Sequence, residues 1–292
     1  MRQLTPEEIK QREITQEKCK KAMYAGQLAM LAMIPTFVEL FCSMTIREHW
    51  KIEHARYIGG AVGAIAGVIL CLLFGKHRPI RQQFRSFDLR VPLMFFLLVE
   101  TGGKLLFSLT ALILSRFSSV TPAENTRDTL AQILLTVIVT PILEELIFRT
   151  GMVGVLKKSG SRLLAVLFPA MLFMMMHSSR NLPGRLDVLN AGIFLAVCYY
   201  ETGNILYAML IHSLHNLAAL FFSVTGGTET GDRLIGLLQR RVSGYGVLRL
   251  PVLIVFAVIF IAGMIWLLRV FPKKYAAAEP AEQISGDDGR AG

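Results

Sequence analysis

Apolar residues fall into eight long runs along the chain, and polar or charged residues collect between them. A transmembrane helix needs about 20 consecutive, mostly apolar residues, and most of these runs approach that length. The pattern therefore predicts an all-α, polytopic membrane protein with about eight transmembrane helices. The predicted spans are residues 22–45, 58–75, 91–114, 129–157, 163–177, 186–201, 205–223 and 250–270.

The stretches outside these spans suggest a simple domain organisation. Residues 1–21 form a polar N-terminal segment. Residues 22–274 are expected to form one membrane domain, in which 224–249 is the longest internal loop. The tail at 275–292 is dominated by Ala, Gly, Asp and Glu, a composition that predicts disorder. We expect no internal repeat and no separate soluble domain.

Composition supports a membrane protein and limits the classes of partner that we expect. Hydrophobic residues make up 53% of the chain and the mean hydropathy is +0.50, too apolar for an ordinary soluble domain. The net charge is +10, but the basic residues collect between apolar runs, where they face lipid headgroups. We therefore expect a lipid bilayer and no nucleic acid as partners. The four cysteines show no CxxC or metal-ligand spacing.

The first candidate site lies in the fourth run, which contains the sequence PILEELIFR at 141–149. Glu145 and Arg149 are four residues apart and share one helix face, whereas Glu144 is turned about 100° away. A charge near the centre of a bilayer costs about 2.5–3.5 kcal/mol on insertion scales, so three charges within six residues indicate function. We interpret Glu145 and Arg149 as a site-ordering pair and Glu144 as the carboxylate available for chemistry.

A second charged pair, Glu100 and Lys104, occurs in the third run. The two residues are also four apart. We expect them to neutralise each other inside the helix bundle, without a direct role in chemistry.

Three further polar residues, His177, His212 and Asn216, lie where they can approach Glu144. Glu144 and His177 are each about 16 residues from the turn that joins their helices, which places both about 24 Å from it. Counted from the turn that precedes the seventh span, His212 stands at about 14 Å and Asn216 at about 20 Å. Helix tilt would have to close the remaining gap.

These residue types suit hydrolysis. A carboxylate and an imidazole beside one water molecule form a general-base arrangement, here Glu144 with a histidine. A second imidazole and an amide can donate hydrogen bonds to an oxyanion. A transporter is an alternative, but it predicts charges spread along a path and broken helices, whereas here the polar residues gather at one level.

The three clusters resemble the motifs of the CAAX protease and bacteriocin-processing family of intramembrane endopeptidases. The sequence EELIFR at 144–149 is similar to EExxxR, 173–177 to FxxxH and 212–216 to HxxxN, in the family's order. The motif core covers 141–216, about a quarter of the chain. The resemblance implies a membrane-embedded peptidase, without a cofactor, in a multi-pass protein that acts on a peptide or protein substrate.

The resemblance also implies roles for individual residues. Glu144 and His177 would activate water, and His212 and Asn216 would form the oxyanion hole. Glu145 and Arg149 complete the first motif, and His215 lies outside the pattern.

Several alternatives remain open. Some members of this family are described as immunity or scaffold proteins without catalysis, and the family was first described as metalloproteases. Metal dependence would make Glu144, His177 and His212 the ligands, although HExxH and a tight zinc-ligand spacing are absent from the sequence. The compact eight-span organisation suggests a bacterial cell membrane protein.

Overall fold

The structure is a computed structural model, and it describes only part of the chain. The described residues are 6–20, 87–117, 130–158, 161–177, 181–225 and 228–272, with scattered positions between 23 and 84. The predicted spans at 22–45 and 58–75 lie largely outside them, and the predicted disordered tail lies wholly outside. The predicted number of about eight transmembrane helices is therefore not confirmed.

The described part is almost entirely helical, which confirms the all-α class. Its elements are α1 (Arg90–Leu114), α2 (130–157), α3 (Arg162–Met176), α4 (Leu182–Thr202), α5 (Ile205–Thr225), α6 (Glu229–Leu238), strands β1 (Gln239–Val242) and β2 (Tyr245–Leu248), and α7 (Leu250–Arg269). Within the described residues, α1, α4 and α7 are long and apolar enough to cross a membrane. Helix α3 and the described part of α5 are apolar but shorter.

Helix α1 is the central element of the described bundle. It packs against α4, α5 and α7. The largest buried apolar cluster lies along it and includes Phe95, whose ring contacts Trp266 and Phe271 at centroid distances of 6.1 and 5.4 Å. These aromatic contacts hold the C-terminal end of α7, and Phe271 just beyond it, against α1, because edge-to-face rings pack well at these distances.

Helix α2 alternates between α-helical and π-helical geometry. It is α-helical over Leu130–Leu134, Thr140–Glu145 and Gly154–Lys157, and π-helical over Leu135–Val139 and Leu146–Val153. The N–H of Thr140 accordingly bonds to the carbonyl of Leu135, five residues back. The next N–H in that ladder would belong to Pro141, which has none. The carbonyl of Thr136 is thus left without its expected helical donor.

The start of α4 differs from its prediction. The helix begins at Leu182, four residues before the predicted 186, with the Asn181 side chain accepting a hydrogen bond from the N–H of Gly184. Pro183 sits in the first turn, where its missing N–H has no cost. The apolar pattern misses this turn because its sequence, LPGR, is not apolar throughout.

The segment at 224–249, predicted as a loop between two spans, contains regular structure. Thr228 caps α6 by accepting from the N–H of Gly231, and a β-hairpin follows, turning at Ser243 and Gly244, both at positive φ. The N–H of Leu248 bonds to Ser108 Oγ, which holds the hairpin on α1. These elements are short and amphipathic, so a search for long apolar runs does not detect them.

Helices α1 and α4 approach closely at Gly103. Asp187 and Asn190 of α4 lie against this glycine: a Cβ there would clash with Asp187 Oδ1 and lie 3.4 Å from Asn190 Nδ2. Asn190 also donates to the carbonyl of Val99 at 2.9 Å, and Asp187 pairs with Lys104 at 3.3 Å. The absence of a side chain at Gly103 therefore permits two polar contacts between the helices.

We predict that Gly103→Ala lowers thermal stability. The added methyl group must displace a buried, ion-paired carboxylate, and overpacking of this kind costs about 1–3 kcal/mol. Thermal unfolding of the purified protein in one detergent measures the effect. The control is Gly236→Ala on α6, where a Cβ meets nothing within 4 Å, and where Ala gains up to about 1 kcal/mol of helix propensity. Equal thermal stability of Gly103→Ala and Gly236→Ala would contradict the close approach of α1 and α4 at Gly103.

Candidate active site

The centre of the candidate site is the buried carboxylate of Glu145. Its Oε1 accepts a hydrogen bond from His212 Nδ1 at 2.9 Å, and its Oε2 lies 3.0 Å from Arg149 Nε. The side chains of Glu145 and Arg149 are both 0% exposed. One carboxylate thus contacts a residue of its own helix and a residue of α5, and it ties α2 to α5.

The guanidinium of Arg149 is held mainly by charge and by aromatic rings. Its Cζ lies 5.2 Å from the ring centroid of Phe173 and 5.9 Å from that of Phe148. Within the described residues, its nitrogens make no well-aligned hydrogen bond. A buried guanidinium in this state depends strongly on its nearest counter-charge, Glu145, because the attraction between charges is strong where water is excluded.

Glu144 has a different environment from Glu145, although the two are adjacent. Its side chain is 25% exposed, and its Oε2 lies 3.6 Å from His212 Nε2. That distance is too long for a hydrogen bond but close enough for direct electrostatic interaction. His212 therefore lies between two carboxylates, hydrogen-bonded to the buried one and near the exposed one.

His177 is the C-cap residue of α3, and its ring is fixed from one side. Nδ1 donates to the carbonyl of Phe173 at 2.8 Å, and the two rings are in contact with centroids 4.6 Å apart. Since a carbonyl only accepts, Nδ1 carries a proton, and Nε2 of the neutral ring is an acceptor. His177 also interacts electrostatically with Glu144. The ring geometry leaves Nε2 available to take a proton from water.

Phe173 connects these parts of the site. Its ring contacts Phe148 at 5.1 Å and His212 at 5.7 Å between centroids, in addition to His177 and Arg149. The side chain is almost completely buried, at 3% exposure. Phe173 therefore sets the spacing between α2, α3 and α5 at the level of the site.

Asn216 lies beside the cluster and uses one of its two amide protons. Nδ2 donates to the carbonyl of Thr136 at 2.9 Å. This is the carbonyl that Pro141 leaves without its expected helical donor. The second N–H of the amide remains available to another acceptor. Pro141 is the sequence signal for this contact, although the sequence does not say which side chain would find the carbonyl.

The structure brings Glu144 and His212 closer together than the depth estimate implied. Glu144 and His212 were expected to differ by about 10 Å in depth, but their side chains approach to 3.6 Å. The π-helical stretch Leu146–Val153 lies between Glu144 and the turn. A π-helix rises less per residue than an α-helix, so this stretch brings Glu144 nearer to His212.

The predicted pairing of Glu100 with Lys104 is wrong. Glu100 Oε1 is hydrogen-bonded to His215 Nδ1 at 2.5 Å, and Lys104 Nζ lies 3.3 Å from Asp187 Oδ2. Partners on α5 and α4 thus replace the pairing within α1. Sequence reasoning left His215 without a role and did not identify Asp187 or the ring of Phe148. An acidic or imidazole group inside an apolar run is a signal for such partners, but it does not reveal which helix supplies them.

The described residues contain no ready-made group of metal ligands: no three His, Cys, Asp or Glu side chains among them are grouped in that way. In particular, Glu144, His177 and His212 do not form such a group. Of the described cysteines, Cys198 is buried and Cys19 is exposed, and neither is in a disulfide.

Comparison with known proteins agrees with the three motifs. Residues 126–218 match the family model of the type II CAAX prenyl endopeptidases, Rce1-like. This match contains Glu144, His177, His212 and Asn216, and it confirms the resemblance to the CAAX protease family. No significant match to the chain was found among curated proteins or among solved structures.

We predict that Glu145→Gln strongly destabilises the protein. The variant leaves the cation of Arg149 buried without a counter-charge, which costs about 3–5 kcal/mol in a fully buried pair. Thermal unfolding in detergent measures the loss.

The matched control is Glu229→Gln, which breaks the exposed pair of Glu229 and Arg233 at the same spacing of four residues. Their side chains are 80% and 76% exposed, and such pairs contribute about 0.3–0.5 kcal/mol. Similar losses of thermal stability in Glu145→Gln and Glu229→Gln would show that burial does not increase the contribution of the Glu145–Arg149 pair.

Proposed function

We propose that the protein is an intramembrane endopeptidase of the CAAX protease type, in which Glu144 and His177 activate a water molecule. The observation that carries this proposal is the contrast between the two adjacent glutamates. Glu145 is fully buried and engaged by Arg149 and His212, whereas Glu144 is partly exposed and makes no close ion pair. A general base must reach water, and the partial exposure of the Glu144 side chain supports this role.

The proposed reaction is hydrolysis of a peptide bond. Glu144 takes a proton from water with the help of His177 Nε2, and the oxygen attacks the scissile carbonyl carbon. The tetrahedral intermediate collapses when the C–N bond breaks, and the proton moves from Glu144 to the leaving amine. The new carboxylic acid then passes its remaining proton to the amine, so the products are a carboxylate and an ammonium group, and the site returns to its initial state.

His212 and Asn216 are the proposed oxyanion donors. Glu145 accepts from His212 Nδ1 and so fixes the orientation of the ring. With both ring nitrogens protonated, Nε2 can donate to the oxyanion, much as a buried carboxylate orients the histidine of a catalytic triad. Asn216 supplies the amide proton that the Thr136 carbonyl does not use.

The proposed substrate is a peptide or protein segment at the membrane, and the proposed location is a multi-pass position in a bacterial cell membrane. The apolar helices and the family matched over 126–218 support the membrane location and the peptide substrate. Nothing in the described site is specific for a prenyl group. Substrates with and without a prenylated C-terminus therefore both belong in the test.

We predict that Glu144→Gln lowers turnover by about 10² or more, the usual scale for loss of general-base catalysis. Thermal stability should change little, because a partly exposed carboxylate is replaced by an amide of the same size. The assay uses purified protein in lipid nanodiscs with a farnesylated C-terminal peptide, its unprenylated counterpart and a mixed peptide library, read by mass spectrometry.

The matched control is Glu229→Gln on α6, which should cleave as the wild type does. Wild-type turnover in Glu144→Gln would exclude Glu144 as the base. Absence of cleavage by the wild type across all three peptide sets would favour a non-catalytic immunity or scaffold function.

We also predict that turnover does not require a metal ion, because the site donors are not grouped as ligands. Protein treated with a membrane-permeant chelator and then freed of it should cleave at the untreated rate. Loss of activity that returns with one equivalent of zinc would contradict this mechanism.

A further inference from the structure

A second buried polar contact lies next to the candidate site and outside the three motifs. Glu100 Oε1 of α1 accepts a hydrogen bond from His215 Nδ1 of α5 at 2.5 Å. The His215 side chain is 10% exposed and that of Glu100 is 16% exposed. A hydrogen bond between a carboxylate and an imidazole is among the stronger kinds, and the low exposure limits competition from water.

The position of His215 on α5 gives this contact a geometric consequence. At about 100° per residue, His215 projects about 60° to one side of His212, and Asn216 projects about 40° to the other side. His215 is held by Glu100 of α1, and Asn216 is held by the Thr136 carbonyl of α2. Rotation of α5 about its axis is therefore restrained on both sides of His212.

Helix α1 is a suitable fixed reference for this restraint. It packs against α4 and α7 as well as α5. Asn190 of α4 donates to the Val99 carbonyl, one residue before Glu100. The Glu100 carboxylate is therefore attached to a part of the bundle that is itself anchored.

We propose that Glu100 and His215 are positioning residues that set the rotation of α5, and through it the placement of His212 and Asn216 beside Glu144. Only the kinetic consequence of this role, a change in turnover, rests on the proposed peptidase function. The structural consequence can be measured without catalysis. Neither residue touches the reacting atoms in this proposal.

The structural test is cross-linking between α2 and α5. Thr136→Cys and Asn216→Cys are introduced together, with Ser replacing Cys19, Cys42 and Cys71. The fully buried Cys198 is retained. A short bifunctional thiol reagent should join the pair rapidly, because these positions are in contact. We expect Glu100→Ala to slow cross-linking several-fold and Glu100→Gln, whose amide oxygen still accepts from His215, to restore it.

Two further variants keep this test decisive. Glu100→Leu fills the volume of the lost carboxylate and replaces Glu100→Ala where the smaller side chain prevents folding. Lys104→Met is the matched control: it breaks a contact of α1 with α4 four residues away and leaves Asp187 unpaired. It should lower thermal stability without changing the cross-linking rate.

The kinetic test uses a peptide cleaved by the wild type. Displacement of catalytic groups by about 1 Å can cost about 10² in rate. We therefore expect Glu100→Ala or Glu100→Leu to lower kcat by about 10- to 100-fold with little change in KM, and Glu100→Gln to retain most of the turnover. Lys104→Met should keep its kcat per folded molecule.

Either of two results would overturn the positioning role. One is a folded Glu100→Ala or Glu100→Leu protein that cross-links at the reference rate. The other is a Lys104→Met protein that cross-links as slowly as Glu100→Ala, because slower cross-linking would then result from a general loss of stability. Both results come from cross-linking, so failure of the peptidase proposal does not affect them.

Discussion

The candidate site depends on one buried charge and its counter-charge. Arg149 has no exposed atoms and no well-aligned hydrogen bond among the described residues, so its cost of burial must be offset by Glu145 and by the faces of two aromatic rings. Those rings and the second contact of Glu145 come from different helices. The need to stabilise one buried guanidinium thus brings α2, α3 and α5 together at the candidate site.

This requirement also explains why two adjacent glutamates can differ so strongly. Consecutive side chains on a helix point about 100° apart, so Glu144 cannot follow Glu145 into the buried pair. Its Oε2 instead lies 3.6 Å from Nε2 of the buried His212, and its side chain is 25% exposed. The same backbone geometry that buries one carboxylate therefore presents the other to water. Two adjacent glutamates on one helix therefore supply both the buried ion pair and the partly exposed carboxylate.

The sequence is most informative where the relevant contacts are local. Lengths of apolar runs predict the bounds of α1, α2, α3, α5 and α7 within a few residues, and the spacing of four residues predicts that Glu145 meets Arg149. The same spacing fails for Glu100 and Lys104, because both are engaged by other helices. Partners across helices depend on the rotation of each helix, and the apolar pattern of a membrane helix defines that rotation poorly. Short elements such as α6 and the hairpin are missed for a different reason, since neither contains a long apolar run.

Rotation is the harder quantity to specify inside a bilayer. Lipid and apolar side chains are chemically alike, so burial of apolar surface hardly distinguishes one rotation of a helix from another, and polar contacts must make the distinction. On α5 these contacts lie on both sides of His212. One depends on Glu100, and the other depends on a carbonyl that Pro141 leaves without its expected helical donor. A proline that weakens the hydrogen-bond ladder of α2 thereby provides an acceptor that orients α5. Residues outside the three motifs thus determine how His212 and Asn216 are placed relative to Glu144.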